Sequence, residues 1–276
     1  MRARIALALA AAALGLGALA ATYTVAFTTD VGRRADARIF NRIGDHSSFR
    51  KFGHRIGGDK LNLIAAGGVV LGATLLSILS LLDKTRLRGM YVLTLIGGAF
   101  ATTEFIKPPL GEWGRRLAPS RVAADAFPSG HATLAMAIVL AAFMALPVGR
   151  RSVSTLCAAA LATLLGLLIV VGGLHPPSDV IGGSLVAGIW AALLTPLVRP
   201  VERSVSAEPR EHRLSGIGLG AVTLAVFVFV GAIAVYVQQV FGIHRALLFL
   251  VIGLALASVL IVAVIGALCE LADRPR

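Results

Sequence analysis

Charged residues are scarce in this chain of 276: they make up 14% of it, against 57% hydrophobic. Acids are scarcer still, 14 Asp and Glu beside 26 Lys and Arg, for a formal net charge of +12. A soluble domain is about one quarter charged, so this composition, with its apolar residues gathered in blocks, excludes a soluble globular chain and predicts an integral membrane protein. Cysteine is nearly absent too. Cys157 and Cys269 both fall inside apolar runs, which argues against a disulfide framework and leaves metal ligation without partners; both read as core residues. No set of His, Cys, Asp and Glu has metal-site spacing. Gly216-Ile217-Gly218-Leu219-Gly220 opens an apolar run instead of following a strand, so it is no nucleotide fingerprint. Neither a metal nor a cofactor is expected. The basic residues join no recognisable nucleic-acid module, so no nucleic-acid partner is expected either.

What is present is a series of apolar runs long enough to span a bilayer, at about 5 to 27, 61 to 82, 89 to 106, 132 to 149, 153 to 174, 180 to 198, 215 to 241 and 246 to 269. The fold class read from them is an all-α polytopic transmembrane bundle. With both ends cytoplasmic, the Lys and Arg residues divide evenly between the two sides. The short loops decide the orientation. Lys84, Arg86, Arg88, Arg150, Arg151 and the terminal arginines favour cytoplasmic ends, which puts Lys107, His131 and His175 together on the outer side of the cell membrane. Met1-Arg2-Ala3-Arg4 and the block after it look like a signal peptide, with Ala18-Leu19-Ala20 as a cleavage site, but the block continues to Phe27 and predicts an uncleaved anchor.

Between the first two runs, Ala35, Ile39 and Ile43, then Phe49, Phe52 and Ile56, recur at helical spacing among Arg38, Arg42, Arg50, Lys51 and Arg55. This predicts short amphipathic helices on the membrane surface, either a plain connector or a basic collar for anionic head groups. Gly67-Gly68, Gly97-Gly98, Gly182-Gly183 and Gly188 are small residues that let helices approach closely. Glu104 precedes Lys107 by one turn and is expected to pair with it. The segment from Pro108 to Pro119 is predicted to be a loop at the membrane face, with Trp113 as an interfacial anchor.

Two segments carry chemistry. In Phe127-Pro128-Ser129-Gly130-His131, Ser129 is a natural N-cap and Gly130 allows close backbone approach, so the helix starting there offers an anion site with His131 beside it. In His175-Pro176-Pro177-Ser178-Asp179, a carboxylate four residues after a histidine can hold one imidazole nitrogen. A lone histidine at a helix end is ordinarily an interfacial residue, and His46, His54, His212 and His244 are read so.

These segments resemble the membrane-bound type 2 phosphatidic acid phosphatases, or lipid phosphate phosphatases, whose motifs are K-x6-R-P, P-S-G-H and S-R-x5-H-x3-D. Pro128, Ser129, Gly130 and His131 complete the second; His175 and Asp179 keep two positions of the third, followed by Val180-Ile181-Gly182-Gly183. The resemblance covers about 60 to 198. It implies a six-span phosphatase-like core with two added C-terminal spans. The boundaries that go with it are an anchor and basic outer loop over 1–60, the core over 61–198, a cytoplasmic linker over 199–214 and an accessory pair over 215–276. The resemblance also implies that His175 attacks phosphorus, Asp179 holds its other nitrogen and His131 protonates the leaving oxygen. Lys107, Arg115, Arg116, Ser129 and Gly130 would then bind the phosphate of a membrane lipid, such as a polyprenyl diphosphate, phosphatidic acid or phosphatidylglycerol phosphate, without a metal.

Two positions depart from the pattern. Glycine stands at 114, where the first-motif arginine is expected, with Arg115 and Arg116 one and two residues late; Leu168-Ile169 replaces the Ser-Arg of the third motif. A short loop insertion would repair the first, with Arg115, Arg116 or Arg121 reaching the histidines while Ile169 packs below them. Losing one donor to a transferring phosphoryl group costs about 10² to 10³ in rate. The rival expectation is therefore a non-catalytic phospholipid-binding protein or lipid carrier on the same fold. The oligomeric state is left open.

Overall fold

The computed structural model describes residues 2–45, 86–119, 125–145, 151–197 and 245–273. The expected spans at 61 to 82 and 215 to 241 lie outside them, as do the linker 199–214, Gly67-Gly68, Arg121 and the histidines at 46, 54, 212 and 244. Every described element is helical: α1 (Arg2–Thr28), α2 (Asp30–Asp45), α3 (Arg86–Leu117), α4 (Gly130–Ala145), α5 (Arg151–Val171), α6 (Pro177–Leu194) with a 3-10 turn (Thr195–Leu197), and α7 (Arg245–Asp273). The all-α expectation holds. Segments 3–28, 177–197 and 250–269 are each long and apolar enough to cross a membrane, and α4 and α5 supply shorter apolar helices. On α1, Leu7, Leu9, Leu14 and Leu16 stay exposed while Ala8, Ala12, Ala26 and Phe27 turn inward, as a lipid-facing helix requires.

Helix α6 is the hub. It packs against α4, α1, α3 and α7, and the glycines read as packing signals account for much of this. A methyl on Gly98 would stand 2.7 Å from the Trp190 ring, and one on Gly188 would stand 3.0 Å from Ile261. Trp190 Nε1 also donates to Thr102 Oγ1 at 3.0 Å, fixing α6 to α3. Gly97 faces open space and is no such contact. The last helix is part of the core, since Ile261, Val262, Ile265 and Leu268 pack with Leu140, Phe143 and Ala159. Cys269 is buried as expected; Cys157, on the outer face of α5, is exposed, which corrects its reading as a core residue.

Three local expectations need correction. α3 runs through Pro108 and Pro109 to Leu117, where Ala118 N–H closes on Gly114 O at 2.8 Å, so most of the predicted loop is a continuation of the helix. Two adjacent prolines delete two ladder donors, a loss that membrane helices tolerate when neighbours pack against them. Here Tyr23 of α1 donates to Leu110 O at 2.8 Å. Second, α5 stops at Val171 instead of 174. Gly173, at φ +70°, takes the left-handed position; its N–H bonds Val170 O at 3.0 Å and Leu174 N–H bonds Ile169 O at 3.1 Å, a Schellman closure. Third, α2 is more than a surface connector: Ile39 packs on the apolar cluster of α5, α6 and α7, and Asp36 is buried.

Candidate active site

Three helix ends meet at one place. The Schellman turn of α5 releases the chain at His175, and Pro177 starts α6 in the φ that proline already holds. Opposite, Ser129 caps α4: its hydroxyl accepts from Ala132 N–H at 3.2 Å, and its carbonyl accepts from Thr133 N–H at 3.0 Å and Thr133 Oγ1 at 2.9 Å. The two starts are joined through backbone, Ser129 N–H donating to Asp179 O at 2.9 Å. Gly183 lies beneath this joint. A methyl there would overlap Ser129 O and come within 2.9 Å of Thr133 N and Oγ1. Phe127, fully buried, faces Gly182 and packs edge-on against Tyr23 and Phe27 of α1.

This joint brings the two imidazoles together, tilted at 55° with ring centroids 5.5 Å apart. His131 Nδ1 and His175 Nε2 are 3.4 Å apart, and His175 Nδ1 is 3.6 Å from Asp179 Oδ2, with Asp179 fully buried. That 3.6 Å is longer than a hydrogen bond, yet negative charge on that side favours a proton at His175 Nδ1, the tautomer that leaves the lone pair at Nε2, toward His131. From α3, Lys107 Nζ binds Glu104 Oε1 at 2.5 Å, the pairing expected from their spacing. That pair lies over the start of α4: a methyl on Gly130 would be 2.7 Å from Glu104 Oε1 and 3.5 Å from Lys107 Nζ. Thr103 Oγ1 and Thr133 Oγ1, both buried and 2.9 Å apart, tie α3 to α4 one turn deeper. A nitrogen lone pair backed by a carboxylate, a second imidazole beside it, and an ammonium at a helix N-terminus are the parts needed to attack and neutralise a phosphoryl group.

The arginines are placed differently. In a continuous α3, the residue seven after Lys107 shares its face to within about 20°, whereas those eight and nine after it lie about 80° and about 180° round. Gly114 therefore takes the first-motif arginine's place, on the face where Thr103, Gly111 and Ala118 are buried. Arg115 pairs with Asp125 at 3.5 Å and Arg116 with Glu112, both guanidinium groups on the exposed side. No loop insertion exists to bring them round. Ile169 is buried in an apolar cluster with Ala132, Val180, Leu250 and Leu254.

The residue that sequence reasoning passed over is Asp36, whose carboxylate binds Ser178 beside Asp179. One signal was available: Asp36 lies seven residues before Ile43 and three before Ile39, on the apolar side of an otherwise amphipathic helix.

Residues 89–203, which hold Lys107, the Pro128–His131 motif, His175 and Asp179, match the family model of the PAP2 superfamily. No curated protein and no solved structure matches the chain.

Proposed function

We propose that this membrane protein, whose residues 89–203 match the model of the PAP2 superfamily, a family of phosphatases acting on phosphate esters, hydrolyses a phosphomonoester or diphosphate on a membrane lipid at the outer face of the cell membrane. The observation that carries the reading is the His131–His175–Asp179 alignment, in which Nε2 of one histidine faces Nδ1 of the other at 3.4 Å while a buried carboxylate stands behind the first. In the proposed step, His175 Nε2 forms a bond to phosphorus as the bond to the leaving oxygen breaks, and His131 delivers a proton to that oxygen. Asp179 stabilises the imidazolium that forms on His175. Water, deprotonated by His131, then attacks phosphorus as its bond to His175 Nε2 breaks, which releases inorganic phosphate and restores both rings. Lys107 and the first N–H groups of α4 meet the charge on the equatorial oxygens. The catalytic unit is the core 61–198, supported by α7.

Three lipids fit this chemistry: a polyprenyl diphosphate, phosphatidic acid and phosphatidylglycerol phosphate. The test is release of inorganic phosphate from these lipids by the purified chain in detergent, with EDTA present and no metal added. Turnover is expected. Turnover abolished by chelation would refute the metal-independent step.

One observation favours a second reading. With Gly114 and Ile169 at the arginine positions and Lys107 already bound to Glu104, the site is poorer in positive charge than phosphoryl transfer ordinarily uses. Retained binding of a phosphate lipid with no turnover of any of the three would identify a phospholipid-binding protein or lipid carrier.

A further inference from the structure

Asp36 belongs to no motif of the chain, yet its carboxylate is buried and takes two hydrogen bonds from one residue of the site. Ser178 donates its backbone N–H to Oδ1 at 3.2 Å and its hydroxyl to Oδ2 at 2.6 Å. Ser178 is the second residue of α6, whose N-cap is Pro176 and makes no side-chain cap bond. A helix start ordinarily receives a side-chain oxygen from its own N-cap residue, on the N–H of the second or third position. Proline has none to offer. Asp36 supplies that oxygen from α2, 142 residues earlier in the chain, and places negative charge where the helix dipole favours it.

The same contact bears on the histidine. Ser178 Oγ also stands 3.4 Å from Asp179 Oδ1, and Asp179 Oδ2 stands 3.6 Å from His175 Nδ1. One hydroxyl has one proton to give. At 2.6 Å against 3.4 Å it goes to Asp36, which keeps it off the carboxylate that must hold His175. Without Asp36 the hydroxyl would turn to Asp179 Oδ1 and draw negative charge away from Oδ2, the oxygen that faces His175.

We propose that Asp36 is a positioning residue of this site: it caps α6 from a separate helix and restrains the Ser178 hydroxyl, so that Asp179 stays directed at His175. The inference rests on His175 as the nucleophile. Asp36→Ala is expected to lower kcat about tenfold, the scale of one charge-assisted hydrogen bond, with KM within about twofold. Asp36→Asn, which keeps one acceptor oxygen, is expected to recover part of that loss. Adding Ser178→Ala to Asp36→Ala removes the competing hydroxyl and is also expected to restore part of kcat, which a purely structural cap would not do.

A second readout needs no turnover. In substrate-free protein labelled with ¹⁵N-histidine, the His175 signals, assigned by their loss in His175→Gln, are expected to show the Nδ1–H tautomer in the wild type and a mixture in Asp36→Ala. Folded Asp36→Ala with wild-type kcat, or with an unmoved His175 tautomer, would overturn the inference. If Asp36→Ala does not fold, Asp36→Asn is read by the same two measures. A wild-type chain that turns over no lipid phosphate would sink the phosphatase reading, while the tautomer still decides the role of Asp36.

Discussion

Arginine placed at position 169 would restore the third-motif arginine, and the packing around Ile169 sets what to expect of it. Ile169 is 8% exposed and packs with Ala132, Val170, Val180, Leu250, Val251 and Leu254. It is also the third residue from the end of α5, whose carbonyl accepts from Leu174 N–H at 3.1 Å, and Leu174 packs on the same cluster, the apolar contact that accompanies a Schellman turn. Removing the isoleucine from that cluster forfeits about 1.5 to 3 kcal/mol. Burying an unpaired guanidinium within a membrane bundle adds about 2.5 to 3.5 kcal/mol on insertion scales. The sum, about 4 to 6.5 kcal/mol, approaches the whole stability of a marginal fold. Ile169→Arg is therefore expected to lower the yield of monodisperse protein and to release less phosphate per folded molecule. Ile169→Leu, which keeps the volume, should cost under about 1.5 kcal/mol. The assay is thermal unfolding in detergent alongside phosphate release. An Ile169→Arg protein that melts within a few degrees of wild type and turns over faster would show that the side chain reaches the phosphate site, refuting the packing argument.

Three other substitutions probe the site. His175→Ala should abolish an acid-labile phosphoenzyme, whereas His131→Ala should keep some transfer from substrates whose leaving oxygen needs no proton; equal loss on good and poor leaving groups, measured by phosphate release, would contradict the roles. Gly183→Ala pushes a methyl into Ser129 O, so a destabilisation of about 1 to 3 kcal/mol in thermal unfolding is expected together with lost turnover; Gly97→Ala, facing open space, should do neither. Lys107→Ala should raise the KM for a phosphate lipid and lower kcat by about 10² or more, while Arg116→Ala, paired with Glu112 on the exposed side, should change either by less than about twofold. A larger loss at Arg116 than at Lys107 would reverse their placement.

How much of this was legible in the sequence depended on whether the signal was local. Ser129 as a cap and the spacing of His175 and Asp179 are written within a few residues; the structure has Ser129 accepting from Ala132 N–H and stands His175 Nδ1 3.6 Å from Asp179 Oδ2, outside hydrogen-bond reach. The helix-approach role of Gly98, Gly182, Gly183 and Gly188 was readable because only glycine fits such crossings, although Gly97 carries the same letter and touches nothing. The reading failed at Pro108-Pro109, where two helix breakers outweighed the apolar face that continues through Gly111, Gly114 and Ala118. That error spread, because a loop would let Arg115 or Arg116 swing inward and a helix does not. Asp36 was not legible as a cap, since its partner Ser178 lies 142 residues on and only the fold brings them together.

The backbone joint between Ser129 and Asp179, with glycine beneath it, separates two properties that active sites usually lose together. Shape here is held by main-chain atoms and by residues with almost no side chain, whereas positive charge is held at the rim, on long side chains anchored elsewhere. The side chains at 114 and 169 take no part in that joint, so changing them one at a time should not disturb how the two imidazoles meet. Head groups of different charge could therefore be met by changing long side chains alone, while the joint of small residues keeps its shape.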